Sequence, residues 1–324
     1  MDVSLSCSSV TVQAPAKLNL FLEVIAKRAD GFHEIETLMT AISLYDTLLI
    51  SPIRDKEIQL TWRWASGIES RDEFLSKSRG AAATGALPTD VRKNIVWKAA
   101  ELLRRRSGAE SGAAIHLVKR IPTESGMGGA SSDAAAALIG LNRLWQLGYS
   151  PARLSELGGE LGSDVPFFLG EPSDGATMAR CTGRGELVET VPCLPQLHFV
   201  IVRPPQGLST AAVYQRCRPA ERPRTSESLQ QSLRSGDAAA VSQYMFNRLQ
   251  EPAESLCPLI GDIRGKCSQF ACLGHQMSGS GSSYFAVCRN ARQARRLAGA
   301  MRSAGVGQVY RAVTAARALS ATIA

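Results

Sequence analysis

The stretch Ile121-Pro-Thr-Glu-Ser-Gly-Met-Gly-Gly-Ala-Ser-Ser-Asp-Ala-Ala-Ala-Ala137 constrains the possible folds of this chain more than any other segment. Just before it, Ala113–Val118 alternates Ile115 and Leu117 with Ala114 and His116, the period of a strand. Just after it, an Ala/Leu-rich helix is expected from Ser132 to Leu147, closing at Gly148. A strand that passes through glycines into a helix must turn tightly, and Gly126, Gly128 and Gly129 allow that. Ser131 or Ser132 is expected to cap the helix, with Asp133 in its first turn. Free N–H groups at such a turn, plus the positive helix end, make an anion site, and phosphate is the usual anion. Pro122, Thr123, Glu124, Ser125, Gly126, Met127, Gly128, Gly129, Ala130, Ser131 and Ser132 are thus candidate ligands of a nucleotide's phosphates.

Spacing excludes two other phosphate motifs. A Walker A loop needs Gly-x-x-x-x-Gly-Lys-Ser/Thr, but Gly265-Lys266 is followed by Cys267 and has Ile260 at the first glycine position. A dinucleotide fingerprint needs Gly-x-Gly-x-x-Gly, but the run from Gly126 ends in Ser131. On the loop alone, a flexible connection with no ligand stays open.

A length of 324 residues suits two domains or one large one. The net charge of +8 fits nucleic acid or a polyphosphate ligand equally well. Aromatic residues, at 6%, are too sparse for stacking platforms along a single strand. Arg104-Arg105-Arg106 ends an expected helix from Asn94 to Ser107, where arginines complement the helix dipole. Eight cysteines form no Cys-x-x-Cys pair and there are four histidines, so a zinc site is not expected. No secretory signal and no apolar run of membrane-spanning length is visible, and a reducing cytoplasm fits.

Strands are expected at Val10–Ala14, Leu18–Ile25, within Thr37–Ile53 and at His198–Arg203. Between Asp55 and Pro88 the pattern weakens, and residues 55–90 read as an irregular insertion. Another helix starts at Ser150-Pro151, and helical patterns recur over Ser228–Ser255 and Ala291–Ala304. Strands alternating with helices indicate a mixed α/β or α+β class.

Three further segments stand beside the loop: Pro15-Ala16-Lys17-Leu18-Asn19-Leu20, Gly162-Ser163-Asp164-Val165-Pro166-Phe167, and the small-residue run Met277-Ser278-Gly279-Ser280-Gly281-Ser282-Ser283. With Asp30-Gly31-Phe32-His33, this set resembles the GHMP kinase superfamily, over almost the whole chain except residues 55–90. The resemblance implies a two-domain α+β fold. An N-terminal α/β domain, residues 1–185, would carry the phosphate loop, and a C-terminal α+β domain, residues 186–324, would supply the 277–283 loop. It implies ATP and Mg²⁺ as cofactors and small-molecule partners, with no nucleic acid, no membrane and a monomer or weak homodimer. Within the superfamily the chain resembles members that move the γ-phosphate of ATP to the 2-hydroxyl of a cytidine-diphosphate-linked methylerythritol.

The same resemblance assigns roles. Asp164 would accept or orient the hydroxyl proton, and Lys17 would hold Asp164 ionised and neutralise the moving phosphoryl group. Asn19, two residues along a strand from Lys17, shares its face and would touch substrate or fix Lys17. Phe32 would stack on the cytosine and His33 would bond its polar edge; many members carry Tyr at the Phe32 position. Ser131 or Ser132 can offer a hydroxyl to magnesium, but no metal ligand is assigned. Glu124 departs from the expected small residue and is expected to face outward, and Ala130 stands where a glycine is frequent. A GHMP kinase for another substrate and a catalytically silent nucleotide-binding relative are the alternatives.

Overall fold

The structure, a computed structural model, describes residues 9–65, 90–170, 178–191, 196–315, 319 and 321–323. Among these described residues, two sheets carry the fold. The first has eight strands: β1 (Val10–Lys27), β2 (His33–Ile53), β3 (Ile58–Trp64), β4 (Gly112–Lys119), β5 (Met178–Thr182), β6 (Leu187–Val191), β8 (Phe246–Asn247) and β12 (Ala321–Ile323). The second orders β11 (Gln308–Val313), β7 (His198–Arg203), β10 (Tyr284–Cys288) and β9 (Gly274–Met277), all antiparallel.

Three helices pack on the first sheet: α1 (Ile95–Ser107), α2 (Gly129–Leu144) and α3 (Pro151–Leu161). Asn94 caps α1 by accepting from the Val96 amide, and Ser150 caps α3, with Pro151 at its first position. The second sheet carries α4 (Thr210–Arg216), α7 (Gln250–Leu256), α8 (Pro258–Cys267) and α9 (Ala291–Ser303), while α5 (Glu227–Ser235) and α6 (Ala238–Tyr244) lie between.

Strand alternation builds the core between the sheets. On β7, Phe199 and Ile201 face the first sheet's Leu18, Leu20 and Leu38, while Val200 and Val202 face the second sheet's own helices. The long β1 serves two cores because its pairing with β2 slips between Pro15 and Ala16 and again between Asn19 and Phe21. Val10, Val12 and Ala14 pack under α2; Ala16, Leu18 and Leu20 enter the inter-sheet core. Lys17 and Asn19 take the opposite face and line the cleft described below.

Several sequence expectations change. The two short strands expected in 10–25 are one irregular strand, β1. The helix expected over Ser132–Leu147 starts three residues earlier, because Gly128 in the left-handed region (φ 67°) is its cap. Ser131 and Ser132 therefore sit inside the first turn and cap nothing. The Gly162–Phe167 segment, whose sequence suggests a corner from helix to strand, leads instead into a 3₁₀ turn, Pro166–Leu169. The expected 55–90 insertion contains β3, which pairs in parallel with β4; residues 66–89 lie outside the described residues. The helical pattern over 228–255 is broken by β8. The division expected at 185/186 falls in the turn of the β5–β6 hairpin, both strands of which lie in the first sheet.

Candidate active site

One cleft of about 1280 Å³ opens between the two sheets. Lys17, Asn19, Phe32, His33 and Asp164 all line it. So do Pro122 to Gly126 and Gly128 to Ser131. Met127 and Ser132 do not: Met127 is buried in the inter-sheet core, and the buried Ser132 hydroxyl has no partner among the described residues. The Met127 carbonyl instead accepts the Lys17 amide at 2.9 Å, tying the loop to β1.

The loop is pinned on both sides. Gly126 has φ 71°, and a Cβ there would lie 2.2 Å from the Ser278 carbonyl oxygen, so only glycine lets the two loops meet. At Gly128 a Cβ would come within 2.8 Å of Lys17 Cγ. The Ser278 hydroxyl donates to the Gly126 carbonyl at 3.0 Å and accepts the Asn19 amide at 3.2 Å. The second small-residue run, 277–283, thus closes the cleft opposite the phosphate loop. Glu124 is exposed with φ 50°, and its carboxylate lies against Gly207, where a Cβ would meet Oε2 at 2.7 Å.

Lys17 is 4% exposed. Its ammonium donates to Asn19 Oδ1 at 2.6 Å and sits 3.3 Å from Asp164 Oδ2. Asn19 Nδ2 donates in turn to Thr37 Oγ1 at 2.8 Å, and that hydroxyl donates to the Phe21 carbonyl at 2.6 Å. Each side chain in this chain donates to the next, so the ammonium is aimed rather than mobile.

Sequence reasoning passed over a second ammonium. Lys119, at the end of β4 and 2% exposed, bonds Asp46 on β2 and, at 2.6 Å, Asp133 in the first turn of α2. Asp46 also accepts the Arg120 and Ile121 amides, which fixes the exit from β4 into the phosphate loop. Burial pushes the Asp133 carboxyl well above the ordinary carboxylate range, against the pull of Lys119. Burial works to lower the Lys119 pKa, but Asp133 and Asp46 outweigh it and raise it.

At the far end of the cleft, Phe32 is 50% exposed, and the His33 ring lies 5.1 Å from that of Tyr214 on α4. Burial, and secondarily Lys27, lower the His33 pKa, so the imidazole is neutral at pH 7. Burial, and secondarily the Asp164 carboxylate, raise the Tyr214 phenol above its usual range, leaving a neutral aromatic wall. Tyr214 lies far along the chain from His33, and no local pattern marks it. Among the described residues, no group of three or more His, Cys, Asp or Glu is placed to hold a metal.

Two family models match the chain. The GHMP kinases N terminal domain matches residues 94–171, and the GHMP kinases C terminal matches 229–307. A 4-diphosphocytidyl-2-C-methyl-D-erythritol kinase of Pelotomaculum thermopropionicum is 39% identical over 89% of this chain and 92% of its own. The chain belongs to the 4-diphosphocytidyl-2-C-methyl-D-erythritol kinase family of GHMP kinases. A second member of the family, from Shouchella clausii, is 37% identical over 90% of both chains. The crystal structure of a 4-(cytidine 5'-diphospho)-2C-methyl-D-erythritol kinase superposes with a TM-score of 0.73 at 31% identity, covering 94% of this chain and 99% of that one. A homoserine kinase from Cytophaga hutchinsonii reaches the same TM-score at 20% identity, so the fold extends beyond the family. The expected two-domain GHMP kinase fold of α+β class is the fold observed.

Proposed function

We propose that the chain transfers the γ-phosphate of ATP to the 2-hydroxyl of 4-diphosphocytidyl-2-C-methyl-D-erythritol, a step of the non-mevalonate isoprenoid pathway. The observation that carries the reading is the Lys17–Asp164 ion pair, 3.3 Å across, in the cleft that also holds the phosphate loop and Phe32-His33.

The chemistry follows from these residues. The phosphate loop and the start of α2 present backbone amides and a positive helix end to the ATP phosphates. Asp164 takes or orients the hydroxyl proton as the hydroxyl oxygen forms its bond to the γ-phosphorus and the bond to ADP breaks. Lys17, aimed by Asn19, keeps Asp164 ionised and neutralises charge on the phosphoryl group in transit. His33, held neutral, can donate to or accept from the cytosine edge while Phe32 and Tyr214 supply faces for the ring.

Magnesium fits the oxygen donors beside the loop. Ser131 lines the cleft, and Asp133 Oδ1 is buried with no partner among the described residues. Ser131 and Asp133 would hold it, and the ion would neutralise phosphate charge. We read the protein as cytoplasmic, acting on small molecules and not on nucleic acid or membranes, and as a monomer or weak homodimer. We take the N-terminal domain to end after β6, since β5 and β6 belong to the first sheet.

The lysine–aspartate pair favours an enzyme over a silent nucleotide-binding relative, and the Phe32-His33-Tyr214 wall favours a nucleotide-linked acceptor over mevalonate or homoserine. The test is ADP release with each acceptor. ADP should form with the cytidine diphosphate substrate and stay at background with mevalonate and homoserine. Mevalonate turned over as fast as the cytidine compound would refute the substrate assignment.

A further inference from the structure

The substrate just proposed carries a diphosphate between its base and its acceptor alcohol, and the site described so far leaves that charge without a partner. The turn of the β5–β6 hairpin supplies one. Arg184 lines the cleft with its guanidinium carbon 4.9 Å above the centre of the Phe32 ring. Its neighbour Gly185 reaches the other end of the site: a Cβ there would lie 3.7 Å from Asp164 Oδ1. The Arg184-Gly185 turn therefore reaches from the ring assigned to the base toward the carboxylate assigned to the hydroxyl, along the stretch that the diphosphate of a substrate spanning both must cross.

The guanidinium is held ready rather than used up. Glu186 accepts the Arg184 amide at 2.6 Å and Nε at 3.2 Å, which sets the side chain's direction. The two terminal nitrogens have no hydrogen-bond partner among the described residues, so the fork that matches phosphate oxygens is free. The hairpin is fixed as well, since the Gly183 carbonyl accepts the Ile35 amide at 2.8 Å. Lys27, which also lines the cleft at this end, is exposed and pairs across the strands with His33, and no ion pair or hydrogen bond among the described residues braces its side chain as Glu186 braces Arg184.

Resting on the proposed substrate, we infer that Arg184 binds its diphosphate and makes the site select cytidine diphosphate compounds over uncharged cytidines. Arg184 also covers one face of Phe32, which leaves the opposite face for the base.

Calorimetric titration of cytidine and CDP, with the phosphate loop saturated by a non-hydrolysable ATP analogue, tests this. The wild type should bind CDP at least about tenfold more tightly than cytidine, a preference that Arg184→Gln should shrink to about threefold or less. Arg184→Lys, which keeps a charge without the fork, should fall between them. Unchanged affinity for the ATP analogue in each variant shows that the phosphate loop is intact. A full CDP preference in Arg184→Gln, or loss of that preference in Lys27→Gln instead, overturns the inference while leaving the substrate reading in place. Failure of the wild type to bind either cytidine compound is a different result and refutes the substrate reading itself.

Discussion

The two ends of the cleft are built differently. At the reaction end, Lys17 and Asn19 are buried on a long strand and hydrogen-bonded in series, and the phosphate loop is braced from behind by Lys119, Asp46 and Asp133. At the base end, Phe32 is half exposed on the turn between β1 and β2, and Arg184 sits on another turn. Buried, mutually satisfied groups couple function to stability, because removing one strands the others. Residues on exposed turns can change with little effect on the fold. On the proposed reading, the difference teaches that chemistry common to a superfamily can reside in the first kind of region and substrate choice in the second.

The largest effect should come from the reaction end. Asp164→Asn should keep ATP binding and lose on the order of 10²–10⁴-fold in kcat. Lys17→Ala should do comparable damage, and the double variant should be little worse than either single one, as for groups acting as a unit. Multiplicative losses in steady-state kinetics would separate Lys17 from Asp164 and break the picture of one paired device.

Stability should divide the ends too. Lys119→Met leaves two buried carboxylates without their ammonium and should cost about 3–5 kcal/mol by denaturant titration. Phe32→Ala, from a half-exposed turn, should cost no more than about 0.5 kcal/mol in the same assay. Equal losses would erase the contrast.

In binding, the order reverses. Phe32→Ala removes a stacking face worth about 1–3 kcal/mol, read as a raised KM for the cytidine substrate with the ATP KM unchanged. Phe32→Tyr keeps the ring and should be close to neutral. Because burial lowers the His33 pKa, the neutral form should persist to a pH below the ordinary 6.5, and the KM should rise only on acidification beyond that. The same lowered pKa means that any contribution of His33 to folding stability declines as pH falls through the ordinary 6.5 and is unaffected above it. A pH-independent KM would show that His33 does not meet the base.

The smallest effect is expected at the loop's edge. Glu124→Gly should leave the ATP KM within about threefold, since a carboxylate aimed at the triphosphate would cost of order 1 kcal/mol. It should also not lower the melting temperature, because glycine adopts the left-handed backbone found at position 124 without strain. A tenfold tighter ATP KM would mean that Glu124 turns inward.

Local signals at the reaction end reach only the backbone; the roles proposed for Lys17 and Asp164 come from the family resemblance. Period-two spacing alone puts Lys17 and Asn19 on one face, and glycine chemistry alone marks the loop. The cap differs for a local reason as well: Ser131 and Ser132 are good capping residues, but Gly128 reaches the left-handed region first. β3 was also written in the sequence, with Ile58, Leu60 and Trp62 alternating with Gln59, Thr61 and Arg63, yet its polar face and the glycine-rich stretch after it obscured it. Tyr214, Arg184 and the Lys119–Asp46–Asp133 cluster left no such signal. Each is brought to the site by pairing between segments distant in sequence, which no window of residues contains.

The most direct test of base recognition at one end and phosphoryl transfer at the other is a single-atom-pair change in the substrate. Replacing cytosine by uracil exchanges the exocyclic amine for a carbonyl and reverses the hydrogen-bond pattern at the edge assigned to His33. The wild type should discriminate against the uridine analogue by about tenfold or more in kcat/KM, through KM, and His33→Ala should discriminate less. Equal use of both nucleotides by the wild type would contradict the account.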